Sequence, residues 1–178
     1  MTTPTHRQSL EGRFRAVFTH LPSVIAYARR RGSGDPDGIA AEAMAIAWRR
    51  LADVPEDDPR PWLYATARNL VLAERRGTLR LTGGDSPELE LLQAPAQVER
   101  LGLDPPVAAA LAALSAADRE ALLLVAWEDL TPTLAAQSLG ITAGAFRVRF
   151  HRARRRFRRA LAESSPAADF GEPRMERA

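Results

Sequence analysis

The stretch that decides the fold is LAALSAADREALLLVAWEDLTPTLAAQSLGITAGAFRVRFHRARRRFRRAL, residues Leu111–Leu161. Its last part, from Thr142 to Leu161, holds eight arginines and no acidic residue. Apolar residues recur there at spacings of four, three, four and four, which is typical of the buried stripe of a helix. These apolar residues are Phe146, Phe150, Ala153, Phe157 and Leu161. A helix that buries one side and presents guanidinium groups on the other is suited to binding phosphate.

A helix-turn-helix pattern includes this arginine-rich helix. Thr131 can cap a short helix that has Pro132 at its first position, and Gly140 can end that helix. Thr142 can then cap the arginine-rich helix. Small residues at the helix crossing allow a steep angle, so the second helix can enter a DNA major groove with its N-terminal turn on base edges.

That docking geometry divides the exposed side chains of the arginine-rich helix into two groups. The residues predicted to face bases are Ala143, Gly144, Arg147, Val148 and His151. The residues predicted to contact phosphates are Arg149, Arg152, Arg154 and Arg155. The alternative is an ordinary helical hairpin with a solvated arginine face.

The whole chain is predicted to be all-α, with two small helical domains joined by a flexible linker. Apolar periodicity in the first domain, 10–76, predicts helices over 10–31, 38–52 and 62–76, the first of them bent or locally unwound at Pro22. Glycine, proline and scattered acids predict a linker over 77–106. The second domain is predicted over 107–162, with Ser115 as a helix cap. Residues 163–178 are predicted to be a disordered tail.

Composition excludes several classes of function. The chain has no cysteine, which excludes disulfides, thiol catalysis and cysteine-ligated zinc. His6, His20 and His151 lack the spacing of metal ligands or of a catalytic triad. We therefore predict no catalytic residue, metal, cofactor or small-molecule substrate. With no apolar leader or membrane span in the sequence, a cytoplasmic protein is expected.

A second signal is the segment WLYATARN, residues 62–69, which follows a proline-containing loop. Exposed aromatic rings beside Arg68 and Asn69 could hold the unstacked bases of a melted DNA strand. The alternative is that Trp62 and Tyr64 are core aromatics of a small helical bundle. The residues alone favour this alternative.

The two segments occur in the order and at the separation of one known family. The chain resembles the extracytoplasmic-function group of sigma factors, the minimal sigma-70-like initiation subunits of bacterial RNA polymerase. The motifs that carry the resemblance are Ala47-Trp48-Arg49-Arg50, Pro61–Asn69, Leu114–Leu124 with Arg119, Leu139-Gly140-Ile141, Gly144, Arg149 and Arg152-Ala153-Arg154.

The resemblance implies core RNA polymerase and promoter DNA as partners, with an anti-sigma factor as a further candidate, and no membrane. The surface implied to bind core polymerase is formed by Asp37, Glu42, Ile46, Arg49 and Arg50. The residues implied to melt and read the −10 element are Arg60, Trp62, Tyr64, Arg68, Asn69, Arg75 and Arg76. The arginine-rich helix would read the −35 element as duplex, and the linker would pass near the active-site and RNA-exit channels of polymerase.

Some positions depart from the family pattern. The second helix begins Asp37-Gly38-Ile39-Ala40-Ala41, where members usually carry an acidic pair followed by larger aliphatic residues. Met44 stands where phenylalanine is common, and Val148 stands where a serine often occurs. The main alternative function is a helix-turn-helix regulator that binds operators without polymerase. A further alternative is a sigma-like interaction protein that titrates an anti-sigma factor.

Overall fold

The computed structural model describes residues 4–82, 98 and 101–164, and this part of the chain is almost entirely helical. The N-terminal half contains α1 (Pro4–Phe18), α2 (Leu21–Arg30), α3 (Pro36–Arg49), a 3₁₀ turn (Leu51–Asp53) and α4 (Arg60–Thr82). The C-terminal half contains α5 (Pro105–Ala112), α6 (Ala116–Ala126), α7 (Pro132–Leu139) and α8 (Ala143–Ser164). No strand occurs within the described ranges. The predicted all-α architecture is confirmed.

The first predicted helix is interrupted next to Pro22, which agrees with the local unwinding that the sequence predicts there. α1 ends at Phe18 and α2 begins at Leu21, with Pro22 in the first turn of α2. A proline there has no amide N–H to donate, and its ring would collide with the carbonyl of residue 18 in a continuous helix. The chain therefore restarts its helix at Leu21, where proline fits without loss of a hydrogen bond.

The helices on either side of the predicted linker, 77–106, extend into its ends. α4 continues past Gly77 to Thr82, since one glycine in a helix interior costs only about 1 kcal/mol relative to alanine. At the other end, Pro105 already belongs to α5. The middle of the predicted linker, 83–97, and the tail beyond Ser164 lie outside the described residues.

The two halves are packed on each other. One cluster of buried residues contains Tyr27 and Leu63 of the N-terminal half together with Leu124, Leu130 and Phe146 of the C-terminal half. Each of these five side chains is fully or almost fully buried. The contact runs between α4 and α7, so the helix bearing the second sequence signal lies against the first helix of the helix-turn-helix. Within the described ranges, no helix is long and apolar enough to span a lipid bilayer.

Candidate nucleic-acid interface

The turn between α7 and α8 has the geometry that its sequence predicts. Gly140 adopts a left-handed conformation with φ of 64°, which a side chain would strain. The Ile141 amide donates to the Ala136 carbonyl at 3.1 Å, closing the end of α7. Thr142 Oγ1 accepts a hydrogen bond from the Ala145 amide at 3.1 Å and so caps α8. These local contacts set the path of α8 away from α7.

α8 is anchored by the predicted apolar stripe. Phe146 and Ala153 are fully buried, and the Phe146 and Phe150 rings stack with centroids 5.9 Å apart. The opposite face is exposed, and most of the predicted DNA contacts lie on it. The exposed members are Gly144, Arg147, Val148, His151, Arg152, Arg154 and Arg155, whereas Ala143 and Arg149 are half-buried.

The charges on α8 are divided between structural and free arginines. Arg156 pairs with the buried Asp118 of α6, and Arg159 pairs with Glu163 at 2.9 Å. In the part of the chain that the structure describes, no ion pair involves the arginines predicted to contact DNA. Those arginines are Arg147, Arg149, Arg152, Arg154 and Arg155. Each of the arginines that the sequence assigned to DNA is therefore without an acidic partner among the described residues, and Arg158 shares that property.

Val148 is the exposed apolar side chain of this face, with 52% of its surface accessible. It lies beside Arg147, near the N-terminal turn of α8. Apolar side chains in that position of a groove-binding helix contact the methyl group of thymine. The departure from the family pattern at Val148 therefore places an apolar group on the face that is predicted to bind DNA.

The second candidate surface, on α4, is only partly available. Tyr64 is buried and its ring stacks on that of Tyr27, with centroids 4.8 Å apart and an interplanar angle of 12°. The Tyr64 ring is therefore covered in this conformation, and its role in capturing a base stays a prediction. Trp62 is half-buried. The alternative that these are core aromatics describes Tyr64 correctly.

The polar residues of α4 that are predicted to read the −10 element lie in different environments. Asn69 and Arg76 are exposed, and Arg68 is half-buried beside an interdomain cavity of about 240 Å³. Arg60 forms a bidentate pair with Asp58, and its hydrogen bonds hold the pKa of the Asp58 carboxyl below its usual value. Arg75 donates to the Arg31 carbonyl.

The surface predicted to bind core polymerase lies along α3 and is accessible. Its exposed members are Asp37, Glu42, Arg49 and Arg50, and Ile46 is half-buried. The atypical glycine of this helix has a structural reason. The Gly38 amide donates to the capping carboxylate of Asp35 at 2.9 Å, and a Cβ at residue 38 would lie only 2.1 Å from that carboxylate.

An aromatic patch at the end of this surface was not assigned a role from the sequence. Trp48 and Phe18 have 48% and 46% of their surfaces exposed, and the Phe14 ring packs edge-on against Trp48. Trp48 directly precedes Arg49 and Arg50 in the sequence. It is distant from Phe14 along the chain, so the sequence does not indicate that the two rings contact each other. Arg50 connects the surface along α3 to the candidate surface on α4, since its guanidinium lies 5.9 Å from the centroid of the Trp62 ring.

Sequence reasoning also missed an ion-pair network between the two halves, which we call the interdomain network. It consists of Tyr27 and Arg30 from α2, the C-cap residue Arg31, and Glu120 and Glu128 from the C-terminal half. The partners are 89–98 residues apart in the chain, so no local pattern could reveal it. Burial opposes the charged form of Glu120, but the Arg31 guanidinium outweighs this effect and lowers the pKa of the carboxyl.

Comparison with known protein families identifies both halves. Residues 17–80 match sigma-70 region 2, and residues 106–157 match sigma-70 region 4. The two matches cover about two thirds of the chain, in the order found in sigma factors. The chain belongs to the sigma-70 family. It is an RNA polymerase sigma factor of the extracytoplasmic-function group, as the sequence motifs predict.

Solved structures of sigma factors resemble this one along most of its length. CnrH, solved in complex with the cytosolic domain of CnrY, is 26% identical, with a TM-score of 0.61 over 89% of this chain and 96% of CnrH. The sigma factor RpoE of Bartonella quintana, solved in complex with the anti-sigma factor NepR, is 20% identical and shows the same fold. Its TM-score is 0.59 over 83% of this chain and 95% of RpoE. No curated protein sequence matches this sigma factor significantly.

As a sigma factor, the protein acts with core RNA polymerase and promoter DNA. The described residues bring no three histidine, aspartate or glutamate side chains together in a way that could hold a metal ion.

Proposed function

We propose that this sigma factor reads the −35 element with α8, opens and reads the −10 element with α4, and binds core polymerase with α3. The observation that carries the proposal is the exposed face of α8, where arginines without acidic partners surround Val148. This face matches what a major-groove helix needs, since guanidinium groups recognise phosphates and guanine edges while an apolar group recognises thymine. We assign the chain no catalytic step of its own and place it in the cytoplasm with the polymerase.

On α4, the exposed Asn69 and the half-buried Arg68 support a role in holding bases of the melted strand. Trp62, Tyr64 and Arg76 remain part of this proposal, although the Tyr64 ring is covered in this conformation. On α3, the exposed charged row and the adjoining patch of Phe14, Phe18 and Trp48 support a protein-binding surface. Exposed aromatic and arginine side chains are enriched at protein–protein contacts.

Both solved relatives were captured with a protein partner, CnrY for CnrH and the anti-sigma factor NepR for RpoE. We propose that an anti-sigma factor also binds this chain and competes with core polymerase.

The experiment that tests the proposed function is a titration of fluorescently labelled protein with bacterial core RNA polymerase. Nanomolar, saturable binding that another sigma factor displaces is the expected result. Failure to bind core at micromolar concentration, with duplex DNA still bound, would instead support a stand-alone helix-turn-helix regulator.

Replacing Asn69 with alanine is expected to impair promoter opening while leaving duplex −35 binding unchanged. Asn69 is exposed on α4 and can read a base edge, so its loss should weaken opening by about 1 kcal/mol, roughly fivefold. Permanganate footprinting of holoenzyme on promoter DNA measures the opening.

The matched control is Gln8→Ala, which removes an exposed amide from α1, a helix that belongs to neither predicted DNA-binding segment. Equal permanganate reactivity for the Asn69 variant and this control would remove Asn69 from base capture.

A further inference from the structure

A cavity of about 240 Å³ has one face of α4 in its lining. The α4 residues there follow the spacing i, i+3, i+4 and i+7, which places them on one side of a helix. They are Arg68, Val71, Leu72 and Arg75. Leu123 of α6 and the residues Val98 and Leu101 also line the cavity. The cavity therefore combines guanidinium groups with an apolar surface.

Five arginines are among the described residues that line this cavity, and four of them are bonded to other groups of the protein. Arg30 and Arg31 pair with the carboxylates of the interdomain network. Arg75 and Arg119 donate to backbone carbonyls. Arg68 differs, because it forms no hydrogen bond or ion pair with any residue that the structure describes. Its N–H groups can therefore serve a ligand without breaking a bond within that part of the chain.

The environment of Arg68 favours a bound anion. Its side chain is half-buried, so water solvates the guanidinium only in part. It attracts the Glu120 carboxylate through space, but Tyr27 and Arg31 already donate to that carboxylate at 3.0 and 3.1 Å. A partly desolvated cation gains stability from an anion that accepts its hydrogen bonds directly. An oxyanion that enters the cavity supplies such a partner.

The chemistry of the lining limits what this anion can be. A planar guanidinium binds two oxygens of one phosphate or carboxylate group side by side. Val71, Leu72 and Leu123 offer contact to an apolar group attached to that oxyanion. Sites for drug-sized ligands have volumes of about 300–1,000 Å³. The volume of this cavity, about 240 Å³, therefore suits a smaller molecule.

We propose that the cavity binds a small organic anion as an effector, with its phosphate or carboxylate group on Arg68 and its apolar body against Val71, Leu72 and Leu123. The site differs from the exposed arginine face of α8, because its cation is half-buried beside apolar side chains. Burial of the apolar body adds to the affinity, so the site should prefer an organic anion to inorganic phosphate.

Occupation of the cavity has a consequence for promoter opening, and this consequence rests on the proposed function. Arg68 is proposed there to hold a base of the melted strand. One guanidinium cannot bind both partners through the same N–H groups, so the ligand and the strand should compete. The ligand is therefore expected to reduce opening of the −10 element and to leave duplex −35 binding by α8 unchanged.

The binding test is isothermal titration calorimetry of the full-length protein with phenyl phosphate, benzoate and inorganic phosphate. At about 0.15 M salt, surface charges are screened beyond about 8 Å. Arg68→Gln removes the proposed anchor, and Leu72→Gln makes part of the apolar wall polar. Arg158→Gln is the matched control, because Arg158 is an exposed arginine of α8 that also lacks an acidic partner among the described residues. Circular dichroism checks that each variant keeps its helices.

We expect phenyl phosphate or benzoate to bind the wild type and the control with one-to-one stoichiometry, and more tightly than inorganic phosphate. Arg68→Gln should weaken this binding by about tenfold, the typical effect of losing a hydrogen bond from a charged donor. Leu72→Gln should weaken binding of the organic anion several-fold and leave that of inorganic phosphate unchanged. The tighter of the two organic anions shows whether the site takes phosphates or carboxylates.

Equal affinities of Arg68→Gln and the control would overturn the site. Equal affinities of the wild type for all three anions would overturn it as well. If Arg68→Gln failed to fold, the stoichiometry and the Leu72→Gln variant would still decide the proposal.

Permanganate footprinting of holoenzyme, with and without the tighter organic anion, tests the competition. We expect the anion to reduce opening by the wild type and by Arg158→Gln, whereas the residual opening by Arg68→Gln should not respond. Binding of the anion without any effect on opening would overturn the competition. Absence of opening by every holoenzyme before the anion is added would contradict the proposed function, and calorimetry would still decide whether the cavity is a ligand site.

Discussion

Replacing Arg119 with methionine is expected to destabilise the protein by about 3 kcal/mol. The Arg119 side chain is buried, and its guanidinium donates to the carbonyls of Leu111 at 2.9 Å, Leu114 at 2.8 Å and Ala112 at 3.3 Å. These carbonyls lie at the end of α5 and just after it, where helix carbonyls lack donors of their own. Hydrogen bonds from a charged donor contribute about 1.5–3 kcal/mol each, and their contributions do not add fully.

Thermal unfolding measures this effect. For a cooperative unit of about 150 residues or more, 3 kcal/mol lowers Tm by about 6–12 °C. Arg158→Met is the control, because Arg158 is an exposed arginine of α8 whose replacement should change stability by no more than about 0.5 kcal/mol. If the two variants had the same Tm, the junction between α5 and α6 would not depend on Arg119.

Replacing Arg147 with alanine is expected to relax or weaken −35 selection by about 1–3 kcal/mol. Arg147 is exposed near the N-terminal turn of α8, which is the part of a recognition helix that meets base edges. Selection from a library randomised across the −35 element measures the loss, and it should be confined to one or two base positions.

Arg154→Ala gives the contrasting result that makes the Arg147 experiment decisive. Arg154 is exposed further along α8, and we assign it to phosphate. Its loss should weaken all sequences uniformly and reduce the log–log salt dependence of duplex binding by about 0.9. Identical sequence preferences for the Arg147 variant and the wild type would move Arg147 to the phosphate-binding group.

The parts of the site that could be predicted from sequence are those set by short-range signals. The caps at Thr131 and Thr142, the left-handed turn at Gly140 and the apolar period of α8 all act within a few residues, and each is present in the structure. The exposed arginine face follows from that period, because burying the stripe that contains Phe146 and Ala153 turns the side chains of the opposite face outwards.

The parts that could not be predicted depend on partners distant in the chain. Tyr64 is buried because Tyr27 stacks on it, and that ring lies on a different helix. The pairing of Arg31 with Glu120 and Glu128 likewise has no signature in either segment. Composition indicated two halves on a flexible linker, but it carries no information on whether the halves contact each other. These two missed features therefore belong to tertiary packing.

The exclusive use of arginine on the α8 face limits how this protein can be regulated. Every one of the 25 basic residues in the chain is an arginine, so the DNA-binding face offers no lysine amine for acetylation. A guanidinium also keeps its charge at every physiological pH. Neither lysine-directed modification nor a change in acidity can therefore neutralise the phosphate-binding charge of α8. We expect control of its DNA binding to act through physical access, by whatever covers or repositions the helix.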